Sequence, residues 1–194
     1  MNNMISNQPS QAPYVIQSVN WVHQETHQDL YYYSSGAKFD NGSITLKNSE
    51  SVSFNTYFGS FYFDYWRRHG AIENVGLRLR FSGNLSVSVF RETGPWRRKT
   101  LFKQSLSAAD SGEKILEIDH NNGKPGRIYF EIKGIGSGGQ LLGCDFIALG
   151  NVTPRKVAFC IGICTFNREN QLMRNLKRLF DNAAALQNIQ HSSG

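Results

Sequence analysis

The sequence predicts a mainly β protein, an antiparallel β-sandwich or jelly roll, followed by the first strand–helix unit of an α/β domain. Three observations point there. Short runs rich in β-branched and aromatic residues recur from Tyr14 to Leu149, separated by Gly, Asn, Asp and Pro turns. The hydrophobic fraction of 40% and charged fraction of 19% suit a folded core rather than a disordered chain. After Pro154 the pattern changes to one continuous apolar run and then to a three-and-four spacing.

In chain order, residues 1–12 are polar and are expected to be disordered, and residues 13–150 form the predicted sandwich domain. Strands are expected at Tyr14–Val22, Asp29–Ser34, Ser43–Lys47 and Ser51–Phe54. Val75–Phe81 and Leu85–Arg91 alternate apolar and polar residues around Ser82-Gly-Asn84, which predicts a hairpin with Leu85, Val87 and Val89 on one face. Arg98–Leu106, Lys114–Asp119, Arg127–Lys133 and Cys144–Leu149 complete the set. Gly134–Gly139 is glycine-rich, lacks a phosphate-loop lysine and precedes no helical pattern, so it reads as a flexible turn. So many short strands at regular spacing argue for a sandwich or jelly roll.

The segment Thr56-Tyr-Phe-Gly-Ser-Phe-Tyr-Phe-Asp-Tyr-Trp66 concentrates seven aromatic rings before Arg67. Aromatic rings stack on the apolar faces of sugars, so Tyr57, Phe61, Tyr65, Trp66 and Arg67 are candidates for saccharide contact or for an interdomain surface. The same rings would also serve as core. A nucleic-acid reading finds no RNA-binding aromatic signature, and no nucleic-acid partner is expected.

Net charge is +6, and between Arg67 and Lys103 nine basic residues face two acids. Such a zone attracts anions, including an anionic membrane surface. Arg78 and Arg80 alternate with apolar residues and equally suit the solvated face of a strand. No segment approaches the roughly 20 apolar residues of a membrane helix. The N-terminus has neither the basic nor the apolar region of a signal peptide, so a cytoplasmic protein is expected. Cys144, Cys160 and Cys164 make no disulfide framework, and the five histidines form no metal set.

Gly150–Pro154 reads as a linker, with residues 151–155 between the two domains. Val157–Cys164 is apolar without alternation, the mark of a strand buried on both faces. Leu172, Leu176, Leu179, Phe180, Ala183 and Leu186 then define one helix face, with Asn167 a suitable N-cap and Glu169 in the first turn. Ligands of open α/β sheets bind at the carboxyl ends of the strands, where the turn at 165–168 lies. The tail after Ile189 is polar and is expected to fray.

Ile163-Cys-Thr-Phe-Asn-Arg-Glu169 resembles the first strand and loop of a family 2 glycosyltransferase with the GT-A fold. Together with the aromatic segment, it is most similar to the polymerising galactofuranosyltransferases, which place a β-sandwich before the catalytic domain. The resemblance implies that residues 156–194 are the start of a truncated GT-A domain. Thr165, Phe166, Asn167 and Arg168 would line the donor nucleotide, with Arg168 on a phosphate.

The implied reaction moves a sugar from a nucleotide sugar, such as UDP-galactofuranose, to a growing glycan or lipid-linked glycan acceptor. It calls for a divalent metal, Mg or Mn, held by an Asp-x-Asp motif, and for a carboxylate base. No Asp-x-Asp occurs in this chain, which is therefore expected to carry no catalytic residue, metal ligand or cofactor of its own. The expected parent is a cytoplasmic enzyme, peripheral at the inner face of the membrane, with homo-oligomerisation open. The rival reading is a stand-alone carbohydrate-binding or assembly module without catalytic activity.

Overall fold

The structure is a computed structural model that describes residues 13–21, 25–40, 42–70, 72, 74–94, 97–118, 126–150, 169–174 and 176–177. The chain divides into two compact units, residues 1–155 and 156–194. The first is mainly antiparallel β, as the strand spacing predicts. Its strands are β1 (Tyr14–Val19), β2 (Tyr33–Ser35), β3 (Lys38–Asp40), β4 (Ser43–Leu46), β5 (Ser51–Ser53), β6 (Asn74–Glu92), β7 (Arg98–Leu106), β8 (Gly112–Ile118) and β9 (Arg127–Leu149). A 3-10 turn at Glu25–Leu30 precedes β2, and one helix, α1 (Phe63–Gly70), precedes β6.

The long strands β6 and β9 run antiparallel as a spine, and each half of the spine has its own flanks. Residues 74–83 of β6 pair with 139–149 of β9, flanked by β8 on one side and β1 on the other. Residues 85–92 pair with 127–134, flanked by β7 and β5, and β2 extends β5. β4 joins β9 near the middle, at residues 139–141, and carries β3 at its edge. All nine strands thus belong to one hydrogen-bonded sheet.

That sheet folds over on itself. Phe130 and Phe146 lie on the same strand and would stand about 50 Å apart if β9 were straight. Their ring centroids are 5.9 Å apart, edge to face. The crease lies where the spine changes register, between Arg80 and Phe81 and again between Gly83 and Leu85. Glycines meet there. Gly83 has φ +80°, and a Cβ on it would stand 2.6 Å from the Gly138 carbonyl oxygen and 2.7 Å from the Gly139 Cα. Only residues without side chains let the two backbones approach so closely.

This geometry corrects two expectations. Ser82-Gly-Asn84 does not turn a hairpin; it is the bend of a single strand whose two halves pair with different partners. Gly134–Gly139 is likewise no flexible turn but the matching bend of β9, with ladder pairing on both sides. Alternation in β6 is preserved across the bend, so Val75, Leu77, Leu79 and Phe81 and then Leu85, Val87 and Val89 all face the core. An aromatic column fills the space between the layers: Phe54 stacks on Phe130 at 4.5 Å, and Phe61 stacks on Phe146 at 4.8 Å. Cys144 is buried in this core, which pushes its thiol well above the ordinary range and leaves it a small apolar filler.

Outside the core, the basic zone is partly neutralised. Arg78 donates to the buried Asp145 carboxylate at 2.7 and 3.2 Å, and Arg98 pairs with Glu131 at 3.3 Å while lying 3.6 Å over the Phe90 ring. Arg91 is buried, whereas Arg67, Arg68, Arg80, Arg97, Lys99 and Lys103 are exposed. Of the second unit, residues 169–174 and 176–177 are helical, with Leu172 and Leu176 half-buried.

Candidate functional site: an aromatic cleft on the β unit

The aromatic segment leaves the core and returns to it within two residues of β9. At its start, the Phe54 N–H donates to the Phe130 carbonyl at 3.0 Å. At its end, Phe61 and Ile128 exchange both backbone hydrogen bonds, at 2.7 and 2.8 Å. Residues 55–60 therefore form a loop whose two ends are fastened to one strand, with the Phe54 and Phe61 side chains anchored in the core.

Within the loop, Thr56 is the clip. Its hydroxyl donates to the Tyr31 carbonyl at 2.8 Å and accepts from the Gly59 N–H at 3.1 Å, while its carbonyl accepts from the Ser60 N–H at 3.1 Å. Gly59 is required by crowding: a Cβ there would lie 2.7 Å from the Phe54 carbonyl oxygen and from Thr56 Oγ1, and 2.8 Å from the Tyr31 carbonyl oxygen. The Phe58 N–H donates to the Leu30 carbonyl at 2.9 Å. On the far side, Gln17 Nε2 on β1 donates to the carbonyls of Phe58 and Ser60, each at 3.1 Å. The backbone of a surface loop is thus tied to three separate segments.

This scaffold displays rings to solvent. Tyr57 is 69% exposed and Tyr62 47%, and Phe58 is also exposed. Tyr31 stacks on Phe58 at 4.9 Å, and Tyr57 meets Phe58 edge-on at the same distance. The four rings wall a cleft of about 450 Å³. Its remaining lining is polar and uncharged: Gln17, Ser18, Asn20 and Ser60.

Residues 24–135, more than half of the chain, match the family described as galactofuranosyltransferase 2 N-terminal. The chain belongs to that family. The clip, the aromatic loop, all of β6 and the part of β9 that precedes its bend fall within the matched span. Galactofuranosyltransferase GlfT2 of Mycolicibacterium smegmatis is 30% identical over 77 residues, which is 40% of this chain and 12% of that protein. The chain therefore aligns with only a small part of that relative's length. A family two carbohydrate esterase from Cellvibrio japonicus superposes with a TM-score of 0.37 and 14% identity, over 66% of this chain and 34% of that one. That likeness is too slight to bear on fold or function. As a galactofuranosyltransferase 2 N-terminal domain, the β unit has a glycosyltransferase-related role.

The five aromatic-segment candidates separate in this domain. Tyr57 lines the cleft. Phe61 does not: it is fully buried between Phe146 and Trp66, because the Phe61–Ile128 bridge turns it inward. Trp66 is partly buried against the core, 6.4 Å from Phe61 and parallel to it. Tyr65 is exposed on α1 with its ring edge against Trp66, and Arg67 is exposed on the same helix. Sequence reasoning counted Phe58 and Tyr62 among the rings of the aromatic segment without singling them out, and it missed Tyr31 on the cleft wall and the polar residues Gln17, Ser18 and Asn20. The Thr56-x-x-Gly59 spacing is the signal that could have shown a tight loop here. Thr165, Phe166, Asn167 and Arg168 lie outside the described residues, as do Cys160 and Cys164. Among the described residues, no group of three or more His, Cys, Asp or Glu could hold a metal ion. None of the described helices is long and apolar enough to cross a membrane.

Proposed function

We propose that this chain is the accessory β domain and the front edge of the donor site of a glycosyltransferase that adds galactofuranose from UDP-galactofuranose to a growing cell-surface glycan. The family match over residues 24–135 carries the reading. In it, residues 156–194 open a GT-A domain, and Thr165, Phe166, Asn167 and Arg168 line the donor nucleotide. A guanidinium offers a planar fork of donors to a phosphate, so Arg168 is the residue assigned to the diphosphate.

The divalent metal, Mg or Mn, and the base that deprotonates the acceptor hydroxyl belong to parts of the enzyme beyond these residues. The acceptor is a glycan or lipid-linked glycan. The exposed cations Arg67, Arg68, Arg97, Lys99 and Lys103 support a cytoplasmic enzyme held at an anionic membrane face. A second reading, a carbohydrate-binding module without catalysis, is favoured by one observation, the uncharged aromatic cleft.

The test compares donor affinity and melting temperature of the full-length enzyme with those of its Arg168→Ala variant. A charge-assisted hydrogen bond of about 1.5–3 kcal/mol predicts a loss of affinity of roughly tenfold or more, at an unchanged melting temperature. Equal affinities would remove the donor-edge assignment.

A further inference from the structure

We infer that the cleft between β1 and the 55–60 loop binds a neutral saccharide chain, with Tyr57 and Tyr62 as stacking platforms and the β1 polar groups as hydroxyl partners. The inference deepens the glycosyltransferase reading by giving the β domain a glycan site of its own, and it rests on that reading only for the source of the glycan.

Three features of the cleft select this ligand class. First, exposed rings are gathered in one place. Tyr57, Phe58 and Tyr62 lie within six residues and turn outward, while Phe54, Phe61 and Phe63 of the same stretch are buried. Single exposed aromatics are ordinary, but a cluster of them on a concave surface marks a contact site.

Second, the rings are held in place before any ligand arrives. The Thr56 clip, the backbone bonds to β9 and the two Gln17 bonds fix the loop, so little ordering entropy remains to be lost on binding. Tyrosine contributes a flat apolar face with a hydroxyl at its tip, which suits a ring with C–H groups on its faces and hydroxyls around its edge.

Third, none of the lining residues is charged. Nucleotides and nucleic acids need cations on their phosphates, and the cleft provides none. Ser18 and the hydroxyls of Tyr57 and Tyr62 instead offer neutral donors and acceptors suited to sugar hydroxyls. A volume of about 450 Å³ falls in the range of small-molecule sites and accommodates a short oligosaccharide.

The experiment titrates the 194-residue chain with a linear galactofuranose tetrasaccharide, read by saturation-transfer NMR and calorimetry. Tyr57→Ala and Tyr62→Ala are compared with Tyr65→Ala, an exposed tyrosine on α1 outside the cleft. Circular dichroism melts establish that all three variants fold. Saturable binding is expected, weakened at least about fivefold in both cleft variants, as loss of a stacking partner predicts, and unchanged in Tyr65→Ala. UDP should not compete. Absence of saturable binding would overturn the proposal, as would equal binding by all variants or displacement by UDP. An empty cleft alongside impaired donor binding by Arg168→Ala would discard this inference and keep the donor-site reading. The reverse pattern would do the opposite.

Discussion

Two stretches of the β unit look irregular in the sequence, and the fold uses them in opposite ways. At the crease, Gly83 faces Gly138 and Gly139, and the absence of side chains lets one backbone press on another. In the 54–63 segment, side chains are large, and alternate rings are either sunk into the core or displayed to solvent. The crease closes the fold by what it lacks. The loop builds a surface by what it carries, and it stays in shape because Phe54 and Phe61 are anchored in the core that the crease creates. Stability and candidate function are therefore assigned to neighbouring residues rather than to separate regions.

Of the crease and the loop, the crease carries the larger expected effect. Gly83→Val combines a left-handed backbone conformation, costing about 1–2 kcal/mol for a residue with a Cβ, with a steric conflict that the facing backbone cannot relieve, costing about 1–3 kcal/mol more. Thermal melts should show a drop large enough to threaten folding in a domain with about 5–15 kcal/mol in all. Next comes Gly59→Ala. Its φ is unstrained, so only the crowding against Phe54, Thr56 and Tyr31 remains, and a loss of about 1–3 kcal/mol is expected in denaturant unfolding. A Gly59→Ala loss equal to that of Gly83→Val would erase the distinction between closing the fold and shaping a loop.

Much of this was legible in the sequence, and the parts that were not share a physical cause. Short β-rich runs and turn residues gave the mainly β class, because alternation reports which face of a strand is buried. Alternation says nothing about whether two runs are one strand or two. Ser82-Gly-Asn84 carries the residues of a hairpin turn, yet the ladder continues through it, since the choice depends on where Gly138 and Gly139 lie in space. The same gap separates Phe61 from Tyr62. Nothing local distinguishes two adjacent aromatic residues, and their fates are set by the exchange of hydrogen bonds between Phe61 and Ile128, 67 positions away in the chain. The α1 helix was overlooked because its eight residues carry the aromatic content of a strand.

A smaller effect is expected at the Ala108–Asp110 turn, which meets the crease through the Gly83 N–H on the Ser111 hydroxyl and the Ala108 N–H on Asn84. The Ser107 hydroxyl donates to Asp110 at 2.9 Å and, with the charge of Lys114, lowers the Asp110 pKa. A lowered folded-state pKa contributes stability above the ordinary aspartate range, near 3.9, that is lost as pH falls through the folded value. Ser107→Ala should therefore be slightly less stable than wild type at neutral pH, and the gap in unfolding free energy should shrink in acid. A gap that is constant across pH would assign the effect to the hydroxyl's other contacts.

The central claim, that one aromatic segment divides its labour residue by residue, is tested most directly by melting Phe61→Ala and Tyr62→Ala side by side. Phe61 is fully buried and Tyr62 is 47% exposed. Removing the first should cost about 3–5 kcal/mol, a fall in melting temperature on the order of 10 °C, whereas removing the second should stay within about 0.5 kcal/mol. Equal losses for the two substitutions would contradict the account.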